Sequence, residues 1–167
     1  MITADVQALR DEFQIPGTRV LQFAFDGNSG NPYLPHNYPS NSVVYTATHD
    51  NPTSRGWYEE LPLYQRQNLW RYLNLPQHEA GEVARDLMRL AWSSPAALAI
   101  APLEDLLNLG AADRMNVPGR AEGNWSWRAT EELLSAADFD WLRGLTKNAN
   151  RLCEHPNPAV EMAEAAI

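Results

Sequence analysis

The apolar positions of this chain alternate between two periods. In "ADVQALRDEF", Val6, Leu9 and Phe13 fall on one helical face with Asp5 in the first turn, which predicts a helix from about Ala4 to Phe13 behind Thr3. Pro16-Gly17 stops it. "RVLQFAF" (Arg19 to Phe25) is then nearly continuous in apolar residues, the pattern of a strand covered on both faces in a parallel sheet. The segment Asp26 to Asn41, "DGNSGNPYLPHNYPSN", has no period and is rich in Gly, Pro and Asn. Loops of that length in a compact domain are functional or disordered, and Tyr33 and Tyr38 argue for order. A second strand, Ser42 to Thr48, is β-branched and ends at His49-Asp50.

Helical signals follow. Thr53 or Ser54 caps a short helix through Trp57 to Glu60, and Pro62 opens another reaching about Asn74. "EVARDLMRLAWS" sets Val83, Leu87, Leu90 and Ala91 on one stripe. "AALAIAP" reads as a third strand, "LEDLLNLG" as a short helix, "AADRMNVPGRAEGNWSWR" as a second long irregular segment, and Phe139 to about Leu152 as a final helix. The order implies an α/β chain built of βα units around parallel strands. Three strands make an incomplete sheet with two open edges.

Composition narrows the function. With 167 residues, 44% of them hydrophobic and six tryptophans, there is material for one core. The 21 acidic against 13 basic residues give a formal charge of -8 without any basic cluster, which disfavours nucleic acid and anionic membrane as partners. The single cysteine, Cys153, offers neither a disulfide nor a zinc-ligand set, and the start lacks the signature of an export signal. A cytoplasmic protein is expected. No stretch approaches the roughly 18 apolar residues of a membrane span.

Several residues carry candidate chemistry. His49-Asp50 is either a strand-ending Asx turn before Pro52 or a functional pair, since catalytic groups in parallel α/β folds project from the C-terminal ends of strands. In "GNWSWR", Trp125, Trp127 and Arg128 form either a sugar-stacking platform or a plug under a loop. Asn116 lies on the Pro/Gly-shaped "RMNVPG", and His36 lies in "LPHNYP", beside a ligand or in solvent. His78 and His155 read as surface residues. Glu104-Asp105 reads as a pair favoured by the dipole of the short helix that it opens. Walker-type loops, GxSxG and Cys/His nucleophile pairs are absent, and no metal or cofactor is required.

Taken in order, "RVLQFAFDG", "NPYLPHNYP", "VVYTATHDN" with "GW" shortly after, "APLEDLLNLG", "RMNVPG" and "GNWSWR" resemble the C-terminal catalytic segments of the 4-α-glucanotransferases, also called amylomaltases or disproportionating enzymes, of glycoside hydrolase family 77. The resemblance runs from residue 1 to about Leu152. It implies an elaborated (β/α)8 TIM-type barrel, of which Arg19 to Phe25, Ser42 to Thr48 and Ala97 to Ala101 would be strands six, seven and eight. The whole of 1–167 would then be a single partial domain.

The resemblance also implies transfer of α-1,4-glucan segments between malto-oligosaccharides by a retaining route, with no cofactor. Asp50 would stabilise the transition state and His49 would hydrogen-bond the same sugar ring. Asn51, Phe25, Asp26, His36, Asn116, Trp125, Trp127 and Arg128 would bind substrate. The family's Asp nucleophile and Glu acid/base match no residue here, and the chain is expected to begin just after the segment carrying that Glu. The missing N-terminal barrel half would come from the same or a separate chain. Two alternatives stand: a non-catalytic glucan-binding module, and the complementing subunit of a split enzyme.

Overall fold

The computed structural model describes residues 3–76 and 82–152. Met1, His78, Cys153 and His155 lie outside the described residues.

Helix α1 (Ala4–Glu12) forms behind Thr3 as the periodicity predicts, with Asp5 in its first turn. Its stripe remains bare: Val6, Leu9 and Phe13 are each more than half exposed. The chain reverses at Gln14, in a left-handed conformation, and enters strand β1 (Gly17–Val20). Strands β2 (Ser42–Tyr45) and β3 (Leu98–Ile100) complete a sheet of order β1-β2-β3, all parallel, with Gly17 opposite Ser42 and Val43 opposite Leu98.

All three strands are shorter than their apolar runs. The first begins two residues before Arg19 and ends at Val20 instead of Phe25, because Tyr45 is the last residue of β2 to pair with it. Leu21–Phe23 coil into a 3-10 turn. There Leu21, Ala24 and Phe25, spaced by three and four, drop into the core, while Phe23 stays 51% exposed. The second strand likewise stops short of Thr48, and the third is confined to Leu98–Ile100.

Between β1 and β2 runs the 26–41 segment, ordered by its own polar groups. Asn31 donates to the Phe23 carbonyl, the Asn37 amide to the Ser29 and Asn31 carbonyls, and the Tyr38 hydroxyl to the Tyr33 carbonyl. Backbone polar groups of the segment thus find side-chain partners beside the single 3-10 turn at Pro35–Asn37.

From β2 the chain builds α2 (Ser54–Glu60), α3 (Leu63–Leu73) and α4 (Val83–Trp92) before returning to β3. Thr53 caps α2 by accepting from the Gly56 amide. A Cβ on Gly56 would come within 2.9 Å of the Ala111 backbone, so glycine lets the later loop pack on this helix. Helix α4 is the central cover: Val83, Leu87, Met88 and Ala91 are buried in a cluster with Leu21, Val44 and Leu69, and Ala84 is fully buried as well.

After β3 come the one-turn α5 (Leu103–Leu106) and the irregular stretch through Arg128. An unanticipated α6 (Glu131–Ala136) precedes α7 (Phe139–Asn148). The latter ends before Leu152 because Asn150 takes a left-handed conformation and turns Arg151 back. The Arg151 guanidinium donates to the carbonyls of Trp92, Ser94 and Ala96, closing the end of α4 against the approach to β3. Among the described residues, no strand pairs with the outer edge of β1 or β3, and Leu98 on β3 is half exposed.

Candidate functional site

The site grows from the end of β2. Thr46 still donates its amide to the Ile100 carbonyl, holding β2 against β3 for one residue past the strand. Beneath it Asp105, 1% exposed, accepts from the Thr46 hydroxyl at 2.5 Å, the Ser54 amide at 2.8 Å and the Ser54 hydroxyl at 2.7 Å. Burial pushes the Asp105 carboxyl up, and these donors oppose that shift. Glu104 and Asp105 both lie in the first turn of α5 as the dipole reading expects, and Asp105 is in addition a buried tie between β2, α2 and α5.

The turn after β2 belongs to Asn51, not to Asp50. Asn51 Oδ1 accepts from the Thr48 amide at 3.1 Å and the Thr48 hydroxyl at 2.6 Å, and the Asn51 amide returns a bond to the Thr48 carbonyl. Gln22, buried below, donates to the Pro52 carbonyl at 2.9 Å. This leaves His49 and Asp50 projecting with about half of each side chain exposed.

The second irregular segment arches over that pair. Asn116 Nδ2 donates to Asp50 Oδ1 at 2.5 Å, and Arg114 donates to the Asp50 carbonyl and, through Nε, to the Asn116 carbonyl. Asp50 Oδ1 is 3.4 Å from His49 Nε2, beyond a good hydrogen bond. Trp125 lies against His49 with ring centres 5.0 Å apart. It sits at φ +60, anchored by its amide to the Met115 carbonyl, and remains 54% exposed. Asn124 staples the arch by bonding Val117 and Arg120.

Trp127 and Arg128 stand behind this face. The Trp127 indole donates to Asp113 and Arg128 to the carbonyls of Trp125 and Trp127. A pocket of about 210 Å³ opens beneath His49, Asn51, Arg114 and Trp125. Glu104, 7% exposed, lines it, and burial raises its carboxyl pKa, with Asp105 and Asp113 adding to the rise.

The structure thus brings together His49, Asp50, Asn51, Asn116 and Trp125, with Trp127 and Arg128 as supports. The other candidates lie apart. Asp26 is exposed and accepts from the Asn28 amide, which lowers its pKa. Phe25 is nearly buried between Trp57 and Tyr72, and His36 bonds Tyr72 and the Ser29 carbonyl. Sequence reasoning missed Arg114, whose bonds here go to backbone carbonyls and leave no side-chain pattern to read. It also passed over exposed Phe23, edge-on to Tyr33, which the interruption of the β period could have flagged.

Among the described residues no group of three or more His, Cys, Asp or Glu could hold a metal ion, and no helix is long and apolar enough to cross a membrane.

Comparison with known proteins places this architecture. A family model described as 4-alpha-glucanotransferase matches residues 1–135. The 4-alpha-glucanotransferase of Synechocystis is 51% identical over 145 residues, covering 86% of this chain and 28% of the relative. That of Thermus thermophilus is 46% identical over 157 residues, covering 91% and 31%. The amylomaltase from Streptococcus agalactiae, solved in complex with acarbose, superposes with a TM-score of 0.81 at 30% identity, covering 90% of this chain and 30% of that one. The chain therefore spans about three tenths of the length of these relatives. On the family match and the two curated relatives, the chain belongs to the 4-alpha-glucanotransferase family.

Proposed function

We propose that this chain forms the C-terminal three-eighths of a 4-α-glucanotransferase catalytic barrel, with β1, β2 and β3 as strands six, seven and eight and 1–167 as one partial domain. Its ligand is an α-1,4-glucan or malto-oligosaccharide, no cofactor takes part, and the setting is cytoplasmic. The carrying observation is Asp50: a half-exposed carboxylate at the C-terminal end of the middle strand, held by Asn116 beside a His49-Trp125 ring pair.

In this reading, Asp50 grips hydroxyls of the sugar being transferred and its negative charge favours the oxocarbenium-like state. His49 hydrogen-bonds the same ring, and Trp125 covers a sugar face. Retention requires a nucleophile and an acid/base carboxyl about 5 to 5.5 Å apart. Neither matches a residue of this sequence, so chemistry needs the rest of a barrel, from the same or a separate chain. The bare α1 stripe and the two open sheet edges support that requirement.

The test is a chimera in which this chain replaces the matching segment of the Synechocystis relative. It should release glucose from maltotriose, the isolated chain should not, and Asp50→Asn in the chimera should lower the rate about 1,000-fold, a loss of about 4 kcal/mol of transition-state stabilisation. A folded but inactive chimera, or full activity in the Asn variant, sinks the reading.

A second reading, a non-catalytic glucan-binding module, draws on Trp125, a large ring kept exposed at positive φ. Retention of the isolated chain on amylose that disappears in Trp125→Ala would favour it. Co-purification with a chain bearing the remaining strands would instead favour a complementing subunit of a split enzyme.

A further inference from the structure

The pocket beneath His49 contains a carboxyl group that the glucan reading does not use. Glu104 lines it, close enough to Asp105 and Asp113 for both to push its pKa up. Those two neighbours are satisfied. Asp105 accepts from Thr46 and Ser54, and Asp113 accepts from the Trp127 indole at 3.2 Å. Glu104 is 7% exposed, yet among the described residues no other residue donates to its carboxyl, and only its own backbone amide faces it.

A carboxylate so placed has lost water without gaining a counter-charge, and two like charges beside it add to the cost. The Arg114 guanidinium shares the wall but gives its bonds to the Asp50 and Asn116 carbonyls. Among the described residues the three carboxylates do not form a set that could hold a metal ion.

An organic cation fits better. An ammonium brings donors and charge together, and the Trp125 ring in the same wall offers a π face to it. Asn51 adds a group directed at a hydroxyl: its Oδ1 is spent on Thr48, while its Nδ2 has no partner among the described residues. At about 210 Å³ the pocket falls below the roughly 300–1,000 Å³ of drug-sized sites, so the ligand is small.

We infer that this pocket binds a small protonated amino alcohol, with its ammonium on Glu104 and a hydroxyl oxygen on Asn51 Nδ2. That ligand class follows from Glu104 and Asn51 and does not depend on the glucan reading. One consequence does rest on it: His49 and Trp125 serve both ligands, so a seated amine excludes a sugar ring from them.

The test is amide NMR of the chain near neutral pH, titrated with tris(hydroxymethyl)aminomethane and, separately, with pentaerythritol, a neutral polyol of the same shape. The amine should shift the Asn51, Met115 and Trp125 amides saturably, and pentaerythritol should not. Glu104→Gln should weaken the amine about tenfold or more, with preserved spectral dispersion showing an intact fold.

Equal responses to the two probes would overturn the inference, because hydroxyls and not charge would then be recognised. No saturable shift, an unaltered affinity in Glu104→Gln, or the same shifts with sodium chloride at equal concentration would overturn it too. Maltotriose separates it from the glucan reading. Shifts with maltotriose but not with the amine would sink this inference alone, and shifts with the amine alone would uphold it while removing support for sugar binding.

Discussion

Helices α1 and α4 are amphipathic by the same period, yet α4 buries seven residues and α1 buries none. Helix α4 lies on the sheet and packs in one cluster with Leu21, Val44 and Leu69, whereas Val6 and Leu9 of α1, and Phe13 just after it, are each more than half exposed. A hydrophobic stripe therefore specifies that a face wants cover, and the cover itself depends on what else is present. The same contrast separates the middle of the sheet from its edges: among the described residues β2 is paired on both edges, while β1 and β3 are each paired on one.

The packed side should be the easier to break. Leu87→Ala, at a fully buried position of α4, should lower unfolding free energy by about 2–5 kcal/mol in urea titration. A loss below 1 kcal/mol would mean that α4 is not the centre of the core. Asp105→Ala should cost about 2–3 kcal/mol, because Thr46 and both Ser54 donors lose their buried acceptor. If stability were unchanged, β2 would not depend on this tie.

A smaller effect is expected at Glu104, and its sign follows from the raised pKa. The folded state holds the proton more tightly than the unfolded one, so its contribution is fully present below about pH 4.3 and is lost as pH rises through the folded pKa. Melting temperature of Glu104→Gln should therefore fall less than that of the parent between pH 4.3 and neutrality. Parallel curves would remove Glu104 from the account. Asp105 contributes with the same sign, so the slope should flatten without vanishing.

The smallest effect belongs to the bare side. Leu9→Ala should change the stability of the isolated chain by less than about 0.5 kcal/mol, since the side chain is 55% exposed. In the chimera the same substitution should cost about 2 kcal/mol or more, because the restored barrel would cover that face. Equal costs in both proteins would show that α1 has no partner to find.

Much of the fold was legible because periodicity reports faces directly. The positions of α1, α3 and α4, a cap at Thr53 or Ser54, of which Thr53 serves, and the parallel pairing of three strands all follow from local pattern. Strand ends did not. "RVLQFAF" is apolar throughout, and whether Leu21 to Phe25 extend or coil depends on how far the neighbouring strand runs, which no residue of that segment encodes. Helix α6 was likewise missed, being short and without a buried face.

At the candidate site, the place of His49-Asp50 at the end of an apolar run was legible, and so was a cap for α2 at Thr53 or Ser54. Which polar group serves which purpose was decided in three dimensions. Asn51 takes the turn, Asp50 is freed for Asn116, and Asp105 goes under the sheet, because each oxygen accepts from whichever donor the packing brings within about 3 Å. Sequence alone determined that this is an α/β chain with a carboxylate at a strand end and more apolar surface than its elements can cover. Tertiary structure decided which of those faces found cover, because burial depends on contacts between residues far apart in the chain, and a local pattern states only the need for them.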